Sequence, residues 1–146
     1  MPRLDVKREL EAPLELVYDI LNDYLSLPKW NIVVNECTQL EPKKYFLKTN
    51  VGDVMNTEIE NEPRVKMTSV QEGSPMNKIG YIFTPKGNNV EVTIWTEFEL
   101  EDQRGVLEMA AILFLKSLKV YVDHIVGGGN PDEYKKSFSK IKKAWD

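Results

Sequence analysis

Histidine and cysteine are nearly absent from this sequence, which contains His124 and Cys37 as the single residue of each type. One cysteine cannot form an intrachain disulfide, and one of each excludes a metal site built from several such ligands. The carboxylates also lack the spacing of a calcium-binding loop. We therefore predict no metal site and no bound cofactor. A lone cysteine is compatible with the reducing cytoplasm.

A positive net charge and a long apolar run are also missing. The 146 residues carry a formal net charge of -4 at pH 7, which gives no electrostatic reason to expect nucleic acid or anionic lipid as a partner. The N-terminus lacks the apolar centre of a signal peptide. The longest apolar run, Met109 to Leu115, is much shorter than the roughly 20 residues of a membrane span. We expect a cytoplasmic protein without an integral membrane span.

Residue periodicity predicts a single α+β domain over residues 1–146. Alternation predicts a first strand at Arg3–Leu10, and helical spacing then predicts a helix from Leu14 to Leu25, ending before Pro28. Six further strands are predicted at Ile32–Leu40, Lys44–Thr49, Asp53–Glu60, Arg64–Val70, Lys78–Thr84 and Asn89–Leu100. The short links between them contain Pro, Gly and Asn, which favours antiparallel neighbours.

The most apolar segment, Val106 to Val126, is predicted to form one long helix. Its charged side chains fall on one side of a helical wheel: Glu108, Lys116, Lys119 and Asp123. The opposite side mixes apolar residues with small and polar ones: Val106, Ala110, Leu113, Phe114, Ser117, Tyr121 and His124. A mixed buried face indicates a helix that closes over a space rather than one that seals a solid core.

The glycines at 127–129 end this helix, and a short final helix is predicted after them. They do not indicate a phosphate-binding loop, because they follow a helix and no Lys-Ser or Lys-Thr pair comes next. Asn130 is predicted to cap the final helix. Its apolar stripe is predicted to contain Tyr134, Phe138, Ile141 and Trp145.

Two features of the strands predict contacts outside the core. Trp95 falls on the solvent side of the last strand, where we expect it to pack across neighbouring strands or, alternatively, to form a surface contact. The alternate-residue acidic pairs Glu58/Glu60 and Glu97/Glu99 are predicted to lie on a solvated strand face.

The segment VKRELEAPLELVYDILNDYLSLPKW resembles the start of the helix-grip fold in the START-like superfamily, which includes polyketide cyclases, lipid-transfer START domains and plant allergen-type proteins. The matching positions are Pro13, Val17, Tyr18, Asp23, Tyr24, Pro28 and Trp30. The Val51-Gly52 step and the long late helix also agree. This resemblance implies a curved antiparallel sheet of about seven strands wrapped around a long C-terminal helix, with a cavity between them. Its members bind apolar or amphipathic molecules, and only some catalyse reactions.

We predict that the protein binds or carries a small hydrophobic molecule, such as a lipid, polyketide or isoprenoid-like compound. The predicted ligand-binding residues are Trp30, Met55, Met67, Tyr81, Ile94, Thr96, Ala110, Leu113, Phe114, Ser117, Tyr121 and His124. The resemblance places Trp30 near the cavity mouth, where it would be either a rim or a plug. One alternative is a cyclase or dehydratase that uses His124 and Tyr121. Another is a protein-interaction or chaperone-activator-like role through exposed aromatics such as Trp95 and the terminal helix. Oligomeric state is left open.

Overall fold

The computed structural model describes residues 1–143, which form seven strands and four α-helices. The strands are β1 Arg3–Leu10, β2 Val34–Glu41, β3 Lys44–Thr49, β4 Gly52–Glu62, β5 Lys66–Glu72, β6 Met76–Lys86 and β7 Asn89–Phe98. The helices are α1 Leu14–Asn22, α2 Leu27–Trp30, α3 Arg104–Val126 and α4 Phe138–Lys143. Three short 3₁₀ turns lie at Tyr24–Ser26, Glu101–Gln103 and Pro131–Glu133.

All seven strands belong to one curved antiparallel sheet in the order β1-β7-β6-β5-β4-β3-β2. The first two strands of the chain therefore lie at opposite edges, and α1 and α2 connect them. The remaining strands follow one another through tight turns, as their Pro- and Gly-containing links predict. The predicted α+β class and the seven-stranded sheet with its long C-terminal helix are confirmed.

The helical segment after β1 is shorter than predicted and divides into two. Asp23 leaves the helical region, with φ -93° and ψ 83°, so α1 ends at Asn22. A 3₁₀ turn then leads into α2, where Pro28 occupies the first turn and loses no intrahelical hydrogen bond there. This arrangement buries the whole of Trp30, which is 0% exposed.

Helix α3 crosses the sheet and contacts β1, β7, α2 and α4. Two positions on the predicted wheel are wrong: Val106 is 52% exposed, and Lys116 is 5% exposed. The wheel assumes one buried arc along the whole helix, whereas the C-terminal half of α3 is also covered by the tail. Its buried arc is therefore wider there than at its first turn. None of the helices within residues 1–143 has the length and apolar content needed to cross a membrane.

The tail after α3 is less regular than the predicted final helix. The Asn130 side chain accepts a hydrogen bond from the Asp132 backbone N–H at 2.9 Å, so Asn130 is a cap, but it caps the 3₁₀ turn rather than the final helix. Extended backbone follows before α4. Tyr134 and Ile141 are buried as predicted, but Phe138 is exposed. Trp145 lies outside the described residues.

Trp95 packs flat against the outer face of the sheet. It is 9% exposed, its indole covers Gly80 on the neighbouring strand β6, and the Arg3 guanidinium of β1 lies 4.5 Å from its ring centroid. The predicted packing across neighbouring strands is confirmed. The alternative use of Trp95 as an exposed contact is wrong, because Gly80 has no side chain to hold the indole away from the sheet.

Cys37 is a half-buried residue of β2 that packs against the core. Burial, with a smaller effect from the Asp23 carboxylate, raises the pKa of Cys37 to about 11. Since the thiolate is the reactive form, we expect iodoacetamide at pH 8 to alkylate the folded protein at least about tenfold more slowly than the urea-unfolded chain. Mass spectrometry of timed samples measures both rates. Equal rates in the two states would contradict this assignment.

Candidate functional site

A largely apolar cavity lies between the concave face of the sheet and the N-terminal half of α3. Its volume is about 70 Å³, whereas one buried water needs roughly 10–15 Å³. Apolar side chains from both layers form most of the wall, among them Leu47, Val54, Ile79, Leu107, Ala111 and Phe114. The cavity can therefore hold a group larger than a single water.

Exposure of the lining residues indicates where the cavity opens. Thr49 and Val51 at the β3–β4 turn, Met76 at the start of β6 and Ala110 on α3 are only half-buried. Lining residues from the α1–α2 region are buried. The mouth therefore lies between the β3–β4 turn, the β5–β6 turn and the first half of α3.

Five predicted ligand-binding residues line this cavity: Tyr81, Ile94, Thr96, Ala110 and Phe114. The strand members Ile94 and Thr96 share the inward face of β7, as strict alternation predicts. Thr96 also donates a hydrogen bond from Oγ1 to the Lys78 carbonyl at 2.9 Å, so its hydroxyl proton is already used within the sheet.

Three other predicted residues lie away from the cavity wall. Met55 occupies the opposite face of β4, because the neighbouring Val54 and Asn56 point inward and alternate residues face opposite sides. Met67 is 1% exposed and is packed in the core further along β5. Leu113 is half-buried outside the lining. For Met55 the prediction chose the wrong phase of an otherwise correctly located strand.

Trp30 is neither rim nor plug. Its indole contacts Phe114 edge to face, with ring centroids 5.4 Å apart, and stacks parallel to Tyr121 at 6.1 Å. Its Nε1 donates to Ser26 Oγ at 3.3 Å. Phe114 therefore forms the cavity wall, and Trp30 supports it from behind.

Ser117, Tyr121 and His124 lie outside the cavity, Ser117 against the α2–β2 link and the other two beneath the tail. Ser117 Oγ accepts a hydrogen bond from the Ile32 backbone N–H at 3.1 Å. The Tyr134 ring lies 5.0 Å from Tyr121 and 5.2 Å from His124, measured between centroids. His124 Nε2 lies 2.9 Å from the Asn130 carbonyl. The wheel identified their shared face correctly but could not show that the tail covers it.

Lys136 attaches this tail to the segment that leads into β2. Its ammonium donates to the carbonyls of Asn31 and Val34 at 2.8 and 2.6 Å, and burial lowers the pKa of the Lys136 amine. Asn31 and Val34 both line the cavity. The tail therefore holds one wall of the cavity without touching its interior.

Sequence reasoning missed the amide side chains of the cavity. Asn31, Asn56 and Gln71 line it, and Gln71 Nε2 donates to Asn56 Oδ1 at 2.9 Å. Asn31 Nδ2, Asn56 Nδ2 and Gln71 Oε1 are buried without a hydrogen-bond partner within residues 1–143. No signal in the sequence identified Asn56, because both faces of β4 contain apolar residues.

Tyr24 lines the cavity and belongs to a second polar group, which also contains Glu58 and Asn61. Its hydroxyl donates to Glu58 Oε1 at 3.0 Å, and Asn61 Nδ2 donates to the same oxygen at 2.9 Å. The prediction of a solvated Glu58 is wrong, because it shares the inward face of β4 with Asn56. A register shift between Glu58 and Glu60 turns Glu60 outward, where it pairs with Lys66 at 3.4 Å.

The lining contains no Asp, Glu, His, Cys, Lys or Arg among the described residues. Its titratable groups are Tyr24 and Tyr81, and burial raises the pKa of both phenols, so both are neutral near pH 7. A general acid or base works best with a pKa near the working pH. The geometry therefore gives no support to acid–base chemistry by His124 and Tyr121 on a molecule in this cavity.

The fold is that of the START-like, helix-grip proteins, whose solved structures resemble this chain over most of its length. A START superfamily protein from Mycobacterium smegmatis has a TM-score of 0.73 at 16% identity and covers 84% of this chain and 98% of its own. The Zhui aromatase/cyclase from a Streptomyces species also has a TM-score of 0.73, at 14% identity, with coverages of 88% and 99%. The Aha1 dimer from Colwellia psychrerythraea has a TM-score of 0.71 at 17% identity, with coverages of 84% and 96%.

These identities are too low to transfer an activity, so the likeness establishes the fold alone. No protein-family model matches the chain. Comparison with curated protein sequences gives no match either.

Proposed function

We propose that the protein binds and carries a small hydrophobic or amphipathic molecule, such as a lipid, polyketide or isoprenoid-like compound, in the cavity between the sheet and α3. The observation that carries this proposal is the composition of the cavity wall. Apolar side chains form most of it, a few amides and hydroxyls are interspersed, and none of the charged residues within 1–143 lines it. Small-molecule sites generally combine an apolar wall with a few orienting polar groups.

Binding is favoured over catalysis by the state of the polar groups. Burial raises the pKa of the two tyrosines that line the cavity, which moves both phenols further from the range in which they could act as an acid or base near neutral pH. Tyr24 already donates its proton to Glu58. These groups can orient a ligand by hydrogen bonding, which a carrier requires.

Filling the mouth of the cavity tests the proposal. We expect Ala110→Trp to weaken binding of the neutral dye N-phenyl-1-naphthylamine by at least about tenfold, a loss of about 1.4 kcal/mol, because the new side chain occupies the space that the dye must enter. Dye fluorescence during titration gives the affinity, and circular dichroism checks that the variant is folded.

Val106→Trp is the matched control, because it adds the same side chain one turn earlier on the same helix. Val106 is 52% exposed and does not line the cavity, so its variant should bind the dye as the parent protein does. Native mass spectrometry of freshly purified protein provides an independent search for a retained apolar compound. Absence of both dye binding and a retained compound would refute the proposed function.

A further inference from the structure

Two adjacent amide side chains that line the cavity each carry one unsatisfied hydrogen-bonding atom. Gln71 Nε2 donates to Asn56 Oδ1 at 2.9 Å. The other two amide atoms, Asn56 Nδ2 and Gln71 Oε1, are buried and have no partner within residues 1–143. Asn56 is only 3% exposed. The pair therefore offers one donor and one acceptor to a molecule inside the cavity.

The presence of one free donor and one free acceptor does not depend on how the two amides are oriented. If both were turned by half a rotation, Asn56 Nδ2 would donate to Gln71 Oε1, leaving a carbonyl oxygen on Asn56 and an NH₂ group on Gln71. Asn56 on β4 and Gln71 on β5 are direct register partners in the sheet. The backbone thus holds one free donor and one free acceptor on neighbouring strands in either orientation.

Such a pair is costly in an apolar wall unless a partner satisfies it. Buried polar groups in folded proteins nearly always have hydrogen-bond partners, and unpartnered ones reduce stability. A ligand with both an acceptor and a donor would supply the two missing bonds. A charged ligand group would lose its hydration without meeting an opposite charge, because the described part of the chain places no charged residue in the cavity wall.

We propose that Asn56 and Gln71 form a polar subsite that selects amphipathic ligands with an uncharged head group carrying an acceptor and a donor on neighbouring atoms, the chemistry of a primary carboxamide. The ligand carbonyl accepts from Asn56 Nδ2, and the ligand N–H donates to Gln71 Oε1. Its hydrocarbon part lies against the apolar wall. This inference rests on the proposed function, because it names the chemical class of the ligand in the same cavity.

Three probes with the same hydrocarbon chain test this selectivity: octanamide, methyl octanoate and octanoate. We expect titration calorimetry at pH 7.5 to give octanamide about tenfold higher affinity than methyl octanoate, which lacks a donor. Octanoate, which is ionised at this pH, should bind most weakly. In Asn56→Leu/Gln71→Met the preference for octanamide should disappear, while methyl octanoate binds with nearly unchanged affinity.

Ile94→Val is the matched control, because it removes one methylene from an apolar lining residue. It should weaken all three probes by a similar factor and leave their ranking intact. The ranking in the parent protein is itself a test, so a poorly folding double variant does not remove it. Single replacement Gln71→Met at a half-buried position gives a milder variant, which should reduce the preference.

The outcomes separate this inference from the proposed function. Three results would each overturn the subsite while leaving a ligand cavity in place. They are equal affinities for octanamide and methyl octanoate, tightest binding of octanoate, and a preference for octanamide that survives in the double variant. If neither the three probes nor N-phenyl-1-naphthylamine binds and the purified protein retains no apolar compound, both proposals are refuted.

Discussion

Trp30→Ala is expected to lower the free energy of unfolding by about 3–5 kcal/mol, the range for truncating a large buried aromatic. Trp30 is 0% exposed and contacts the rings of Phe114 and Tyr121. Its removal leaves a void between the cavity wall and the region that the tail covers. Urea unfolding followed by far-ultraviolet circular dichroism measures the loss.

The graded control for this variant is Trp30→Phe, which keeps an aromatic ring at the same place. It should cost less than Trp30→Ala, since more of the ring packing survives. Ser26→Ala removes the hydroxyl that accepts from the indole at 3.3 Å and should cost about 0.5–1.5 kcal/mol. Near-native stability of Trp30→Ala would show that Trp30 is not the support behind Phe114.

The second large effect is expected at Gly80, where no side chain fits beneath Trp95. A Cβ atom at this position would overlap Cε2, Nε1 and Cζ2 of the indole. The indole cannot simply move outward without losing its contact with the sheet and with Arg3, whose guanidinium lies 4.5 Å from the ring. We expect Gly80→Ala to destabilise the fold by about 1–3 kcal/mol, the typical cost of overpacking. Thermal and urea unfolding give the value.

A double-mutant cycle separates this overlap from a general effect of replacing glycine. In the background of Trp95→Ala the clash is gone, so Gly80→Ala should cost close to nothing, giving a coupling energy of about 1–3 kcal/mol. Gly105→Ala is the matched control: a Cβ there meets no heavy atom within 4 Å, and alanine favours the helix by up to about 1 kcal/mol. Equal costs of Gly80→Ala in both backgrounds would contradict the proposed contact.

These two positions show that the sheet is packed differently on its two faces. On the outer face a single indole lies directly on the backbone of Gly80. On the inner face, Trp30 stands one layer behind Phe114, and a cavity remains on the other side of that ring. Stability therefore depends on residues beside the cavity, while the cavity wall itself remains available for a ligand.

Local residue patterns were sufficient to locate the strands and the long helix, but not the break in the first helical segment or the irregular tail. Alternation located all seven strands, with the bounds of Lys44–Thr49 matched by β3. The short Pro- and Gly-containing links predicted the antiparallel pairing. These features follow from sterics and side-chain periodicity within short segments, which a single sequence displays directly.

Long-range packing decided which side chains line the cavity. On β4 both faces contain apolar residues, Val54 on one and Met55 on the other, so periodicity could not select the inward phase. The sequence pattern also gave no indication of the register shift between Glu58 and Glu60. Only pairing with β5, which sets Asn56 opposite Gln71, determines that amides rather than Met55 line the cavity.

The long helix shows the same division. Its extent and the existence of a mixed face were read from the sequence, because both depend on neighbouring turns of one helix. Which half of α3 covers the cavity depends on where the tail after α3 packs against the helix. Tyr134 packs against Tyr121 and His124, so the polar half of that face is buried beneath the tail. The cavity lies instead under the turns that contain Leu107, Ala111 and Phe114, since contacts between segments distant in sequence decide which surface stays uncovered.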